Sequence, residues 1–124
     1  MSDTITVLRS QQTQIVDAEW GQLTWNASRE LGNCDDLTVG QCLLKPGQGN
    51  PRHYHPNCCE VLVVISGTVS HTRADDDEAE LGPGDTVHIP VGVPHQARNL
   101  SNTEDALVFI AFSSADRLTV MVEA

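Results

Sequence analysis

The chain has 124 residues, enough for one domain that buries about two thirds of the surface its unfolded form exposes, so a core needs no disulfide staples. Its 17 acidic against 7 basic side chains give a formal charge of -10, which repels phosphate backbones and anionic lipid and argues against nucleic acid as a partner. No stretch reaches the ~20 apolar residues of a membrane span, and no basic segment leads into an apolar signal core, so a cytoplasmic protein with no membrane partner is expected.

Aromatic residues make up only 4% of the chain, and six prolines and nine glycines interrupt it every few residues among abundant Val, Leu, Ile and Thr. That pattern predicts an all-β fold with many short turns. Cys34, Cys42, Cys58 and Cys59 show no Cys-x-x-Cys spacing, and the adjacent pair could bridge only with strain, so free thiols are expected.

In chain order, residues 4–8 and 13–17 read as two short strands of an N-terminal hairpin. Residues 20–36, with Trp20 and Trp25 ahead of a Gly- and Asn-bearing run, read as an irregular excursion. We therefore expect residues 1–36 to pack on a barrel formed by residues 37–124, all within one domain. Alternation resumes from Leu37 to Leu44, and Lys45-Pro46-Gly47 turns the chain into its most informative stretch.

That stretch is residues 47–67. On an extended strand His53 and His55 project to one face while Tyr54 turns away, which makes a chelating pair. Glu60 lies at an odd offset from His55, and Pro56-Asn57 supply the break that lets a fresh strand return it to the histidine side. From Glu60 onward the strand carries apolar residues on both faces, predicting burial on both. Residues 68–73 form the next strand, and Ala74 to Glu78 is an exposed acidic hairpin tip. Leu81 to Asp85 is another tight turn, after which residues 86–89, 95–100, 106–112 and 118–122 supply the remaining strands. The loop through Pro90, Gly92 and Pro94 is rigid and delivers His95 at a strand start, as a candidate fourth ligand.

Gly47, His53, His55, Glu60 and Gly67, followed after 16 residues by Gly84, Pro90, Gly92, His95 and Asn99, strongly resemble the two motifs of the cupin superfamily. Every fixed position of Gly-x5-His-x-His-x3-4-Glu-x6-Gly and Gly-x5-Pro-x-Gly-x2-His-x3-Asn is filled. The resemblance implies a double-stranded β-helix, the jelly-roll barrel. It implies that His53, His55, Glu60 and His95 hold one divalent transition metal, among Fe, Mn, Ni, Cu, Co and Zn, with two adjacent positions open on an octahedral ion. It also implies a sheet-to-sheet homodimer. One departure is Cys59, where many small cupins carry a second acidic residue.

The function expected is a metal-dependent enzyme acting on a small oxygen-bearing chelator, by dioxygenase, isomerase, decarboxylase or lyase chemistry. The alternative is a non-enzymatic module that binds or senses such a ligand. No catalytic residue is assigned. Cys58, by its parity with Glu60, together with His71 and His88, is a candidate for lining the cavity, as are Leu62 and Val64, whereas Asn99 is expected to fix backbone. Trp20, Trp25, Arg52 and Tyr54 are given no site role.

Overall fold

The computed structural model describes residues 4–122. After a single 3-10 turn at Ser10–Gln12 it contains eleven strands: β1 (Gln14–Ala18), β2 (Gly21–Ala27), β3 (Thr38–Leu44), β4 (His53–Tyr54), β5 (Glu60–Ser66), β6 (Val69–Ala74), β7 (Asp77–Leu81), β8 (Thr86–Ile89), β9 (Ala97–Asn99), β10 (Ala106–Phe112) and β11 (Val120–Met121). The strands make a six-stranded sheet ordered β1-β2-β3-β10-β5-β8, a three-stranded sheet β7-β6-β9 and the pair β11-β4. An isolated bridge between His53 and His95 joins the pair to the three-stranded sheet. The result is the all-β jelly roll expected.

Alternation explains the core. Along β3 the inward residues Thr38, Gly40, Cys42 and Leu44 are buried, and along β10 Ala106, Val108, Ile110 and Phe112 take the same role, as a period of two requires. They meet Trp25, Leu62, Val64, Val69, Leu81, Ile89 and Ala97 in one hydrophobic cluster. Trp25 approaches Phe112 with ring centroids 6.0 Å apart.

Three expectations are corrected. Residues 4–8 form no strand: Ile5 and Val7 are exposed, and the partner proposed for them, β1, pairs instead with β2. β1 lies at the sheet edge with one side unpaired, yet residues 4–8 form no ladder with it, and so short a segment is not held as a strand without one. Much of the supposed excursion at 20–36 is β2, which pairs with β3 from Gly21 to Ala27, and only residues 28–37 are irregular. Finally, β5 is buried on one face. Leu62 and Val64 point inward, whereas Val61 (37% exposed) and Ile65 (52% exposed) lie on the outer face of the single chain. Asp77 and Glu78, read as part of the hairpin tip, and Leu81, read as the start of a turn, belong instead to β7, which closes a hairpin with β6 over a two-residue turn. The acidic tip is also less free than expected, since Glu78 accepts from Ser70 and pairs with Arg98. Residues 1–3 and 123–124 of the two expected segments lie outside the described residues.

Two motif residues are explained by backbone geometry. Gly67 has φ +91, and a Cβ there would sit 2.9 Å from Ala106, so both conformation and space demand glycine. Asn99 is buried, and its amide nitrogen donates to the carbonyls of Leu44, Lys45 and Glu104 while its Oδ1 accepts from the amide of Ser101. It ties β9 to the end of β3 and to the loop ahead of β10. Asn99→Ala leaves the Ser101 amide without this acceptor and is expected to cost about 2 kcal/mol, by analogy with other buried polar deletions. Urea denaturation measures this, and a loss below about 0.5 kcal/mol would contradict the assigned role.

Candidate metal centre

The site is built by backbone register. His53 and His95 form a hydrogen-bonded antiparallel pair, with His53 N donating to His95 O (3.1 Å) and His95 N to His53 O (2.8 Å). Residues paired in this way present their side chains on the same face, and the two rings lie 4.4 Å apart. His55 follows on the same side of the short strand, and the turn at Pro56-Asn57 then reverses the chain into β5. Glu60 opens β5 between Phe112 of β10 and Ile89 of β8, and it faces inward. The odd offset is therefore resolved by the break, as expected.

One ligand-capable atom from each of His53, His55, Glu60 and His95 lies within 4.8 Å of the others. Oε1 of Glu60 is 3.2 Å from Nε2 of His55 and 3.1 Å from Nε2 of His95. Three of the four residues are almost wholly enclosed; His53 is the most accessible.

The hydrogen bonds on the far side of each ring define what faces the centre. Nδ1 of His53 meets Pro51 O at 2.7 Å, Nδ1 of His55 meets Leu118 O at 2.9 Å, and Nδ1 of His95 meets Val93 O at 2.8 Å. A carbonyl only accepts, so each Nδ1 carries a proton, and in the neutral tautomer each ring turns a lone pair, on Nε2, inward. Three lone pairs and a carboxylate then converge with no donor among them. The buried Nε2 of His55 makes no hydrogen bond, although it stands 3.2 Å from the carboxylate. This donor set fits a divalent cation, whose charge offsets the mutual repulsion of the four acceptors.

Burial pushes the His53 imidazole down to about 4, against the opposing hydrogen bond to Pro51 and with help from the neighbouring histidines. A neutral ring is the form that ligates. The Cys42 thiol, buried beside Glu60, is pushed up to about 12, mainly by burial, and is inert as a nucleophile.

Two cavities flank the four residues. The larger, about 370 Å³, reaches His53, His55 and Glu60 and is walled mainly by apolar side chains, among them Trp20, Leu23, Trp25, Leu62, Phe112 and Met121. The smaller, about 290 Å³, reaches His95 and is lined by His71, Arg73, Thr86 and His88. His71, fully buried, stacks on His95 at 5.7 Å and 21°, with its Nδ1 on Thr72 O and its Nε2 unpartnered. Of the residues proposed to line a cavity, His71, His88 and Leu62 do so. Cys58 and Val64 pack in the core, as the small apolar side chains of a dense interior must.

Sequence reasoning missed the aromatic wall and the C-terminal contribution. Trp20 and Trp25 were given no site role yet line the larger cavity, as do Arg117, Leu118 and Thr119. Arg52 and Tyr54 line neither cavity, in keeping with their outward parity. For the tryptophans the available signal was the alternation of β2, which puts Leu23 and Trp25 on one face. Residues 117–119 carried no local signal.

Residues 40–112 match the model of the family described as the cupin domain. Germin-like protein subfamily 1 member 7 of Arabidopsis thaliana is 32% identical over 96 residues, covering 68% of this chain and 42% of that protein. A recombinant oxalate oxidase in complex with glycolate superposes with a TM-score of 0.75 at 21% identity, covering 85% of this chain and 56% of that one. A formate complex of oxalate decarboxylase from Lactobacillus farciminis gives 0.80 at 16% identity, covering 90% and 34%. The chain spans less than two thirds of each of these proteins, and the structural likeness at such identities shows the fold. With the family match extending from β3 to β10 and both motifs complete, the chain belongs to the cupin family.

Proposed function

We propose that this protein is a metal-dependent enzyme in which His53, His55, Glu60 and His95 hold one divalent transition ion that anchors a small oxygen-bearing chelator. The observation that carries this reading is the convergence of four acceptors with no donor, three of them fixed in that tautomer by main-chain carbonyls. A divalent ion held there would supply Lewis acidity toward a chelated oxygen.

The chain's own residues do the rest. Pro51, Val93 and Leu118 orient the three rings through their carbonyls, and Phe112 packs edge-on against His55 at 4.9 Å. The apolar wall replaces part of the solvent around a bound ligand, which strengthens charge interactions formed against it. A cavity of about 370 Å³ admits a monomer-sized ligand and no polymer. A hydroxy acid, keto acid, diol or catechol-like group fits that description. The glycolate and formate held by the oxalate enzymes of the same fold are small oxygen-bearing acids, which supports the class.

We further propose that a second copy of the chain covers the outer face of β5 and β10. Val61, Ile65 and Phe109 are exposed there side by side, since Phe109 pairs with Val63 and Ala111 with Val61. A contiguous apolar face on a sheet is a surface that association buries.

Replacing His55 or His95 by Ala should weaken metal affinity by more than the roughly 10- to 100-fold typical of losing an outer-shell partner, with the circular dichroism spectrum unchanged. Elemental analysis after gel filtration reads the first effect. Unfolding on chelation would show that the ion, and not the apolar core, holds the barrel.

Hydroxy acids, diols and catechols at about 100 times Kd should stabilise the metal-loaded protein by about 2.7 kcal/mol. The metal-free protein should show no shift. Equal shifts in both forms would remove the ion as anchor. Light scattering is expected to give twice the 13.5 kDa of one chain, and a monomer at micromolar concentration refutes the second-copy proposal.

A further inference from the structure

Arg117 is at odds with its surroundings. In a protein with 17 acidic side chains, Arg29, Arg73 and Arg98 each pair with a carboxylate, whereas among the described residues Arg9, Arg52 and Arg117 do not, and of these three only Arg117 lines either cavity. Arg117 is half-buried in the wall of the larger cavity and has no carboxylate within ion-pair distance among the described residues. Its chain neighbour Asp116 is engaged by Arg29 at 2.9 Å.

The guanidinium is nevertheless held in place. Its carbon stands 4.4 Å above the Trp25 ring and 5.4 Å from that of Phe112, so aromatic faces support it. One terminal nitrogen, Nη1, donates to Thr119 Oγ1, and that hydroxyl in turn meets Nδ1 of His55 at 3.2 Å. Arg117 therefore sits two hydrogen bonds from a metal-binding imidazole. Of five N–H donors on a planar fork, one hydrogen bond to another described side chain uses only one, and stacking leaves the in-plane edge available.

The largely apolar wall of the cavity carries polar groups at His53, His55 and Glu60, at the Arg117–Thr119 pair, and at Asn50, whose side-chain oxygen is already engaged by the Ala97 amide. A divalent ion with one carboxylate and three neutral imidazoles carries about one net positive charge, and Arg117 adds another. We propose that Arg117 is the specificity-determining residue of this cavity, receiving a second carboxylate of a ligand whose chelating head lies at the metal, so that dicarboxylates are preferred over monocarboxylates. This rests on the metal-anchored reading above. A bidentate guanidinium–carboxylate contact formed against apolar walls gives both charge and shape recognition.

The test is calorimetric binding of malate and 2-hydroxyglutarate against 2-hydroxybutyrate and 2-hydroxypentanoate, which share the 2-hydroxy-acid head and lack the distal carboxylate. Metal-loaded wild type, Arg117→Gln and Arg117→Lys are compared, with metal content and thermal unfolding recorded for each. At least one dicarboxylate should bind wild type roughly 10- to 100-fold tighter than its matched monocarboxylate. The preference should vanish in Arg117→Gln, with dicarboxylate affinity falling much further than that of the matched monocarboxylate, and return in part in Arg117→Lys, which keeps the charge and stem. Should Arg117→Gln fail to fold, the Lys variant alone still reports, through a reduced preference. A dicarboxylate that binds no tighter than its monocarboxylate in wild type overturns the proposal, as does a preference that Arg117→Gln and Arg117→Lys both leave intact. Failure of the metal reading looks different: both ligand classes would then bind metal-free protein as well as loaded protein.

Discussion

The structure depends on one constraint, the convergence of three imidazole lone pairs and a carboxylate in a space where none of them finds a donor. Each lone pair points inward because the opposite ring nitrogen is committed to a main-chain carbonyl. Those carbonyls come from three separate places in the chain: Pro51 just before β4, Val93 in the loop before β9, and Leu118 ahead of β11. Such an arrangement is costly to assemble without a cation, because acceptors brought together in an apolar interior repel with little solvent to screen them. The barrel meets that cost with its core. Leu44, Val64, Val69 and Val108 are essentially inaccessible to solvent, and their strands hold the ligand-bearing segments in register whatever occupies the centre.

Most of the inner site was legible because its residues are governed by local rules. Strand parity places His53 with His55, and Pro56-Asn57 breaks the chain so that Glu60 can rejoin them. The prolines and glycine at 90–94 make a stiff loop that leads to His95. What could not be read is whatever depends on partners far apart in sequence. Residues 4–8 have the composition of a strand but form no ladder, whereas residues 21–27, which looked irregular, pair with β3 from Val39 to Leu44. Likewise β5 looked buried on both sides because Val61, Val63 and Ile65 are apolar, yet the chain itself has no layer to cover that face. Composition reports what a strand could bury, and topology decides what it does bury.

The C-terminal segment shows the same limit at the site itself. Residues 113–122 contain no motif, and although 118–122 reads as a strand, nothing local says where that strand docks. Their role comes from what holds them. Asn57 donates to Asp116 O and accepts from Leu118 N, the Ser113 hydroxyl accepts from Cys59 N, and β11 pairs with β4 so that Met121 lies opposite His53. The segment is laid across the turn that joins the histidine pair to Glu60. It is thereby made part of the ligand shell, through Leu118 O and Thr119 Oγ1 on His55.

That placement has an electrostatic consequence. The surface field of a chain with formal charge -10 repels anions, and a cavity open to that field would exclude them. The acidic side chains, however, are concentrated outside the cavity: Glu60 is the only carboxylate along its wall among the described residues. The aromatic and aliphatic lining surrounds the charges inside with apolar atoms, so they interact at a lower effective dielectric than charges on the open surface. Long-range repulsion between exposed charges decays over about 8 Å at physiological salt, while an attraction formed against an apolar wall is screened far less. If the four acceptors hold a divalent cation as proposed, a small anion that crosses the screened outer layer would meet a local field of the opposite sign, set by that cation and by Arg117. The acidic exterior then governs how fast such a ligand arrives, and the few charges inside govern how tightly it stays.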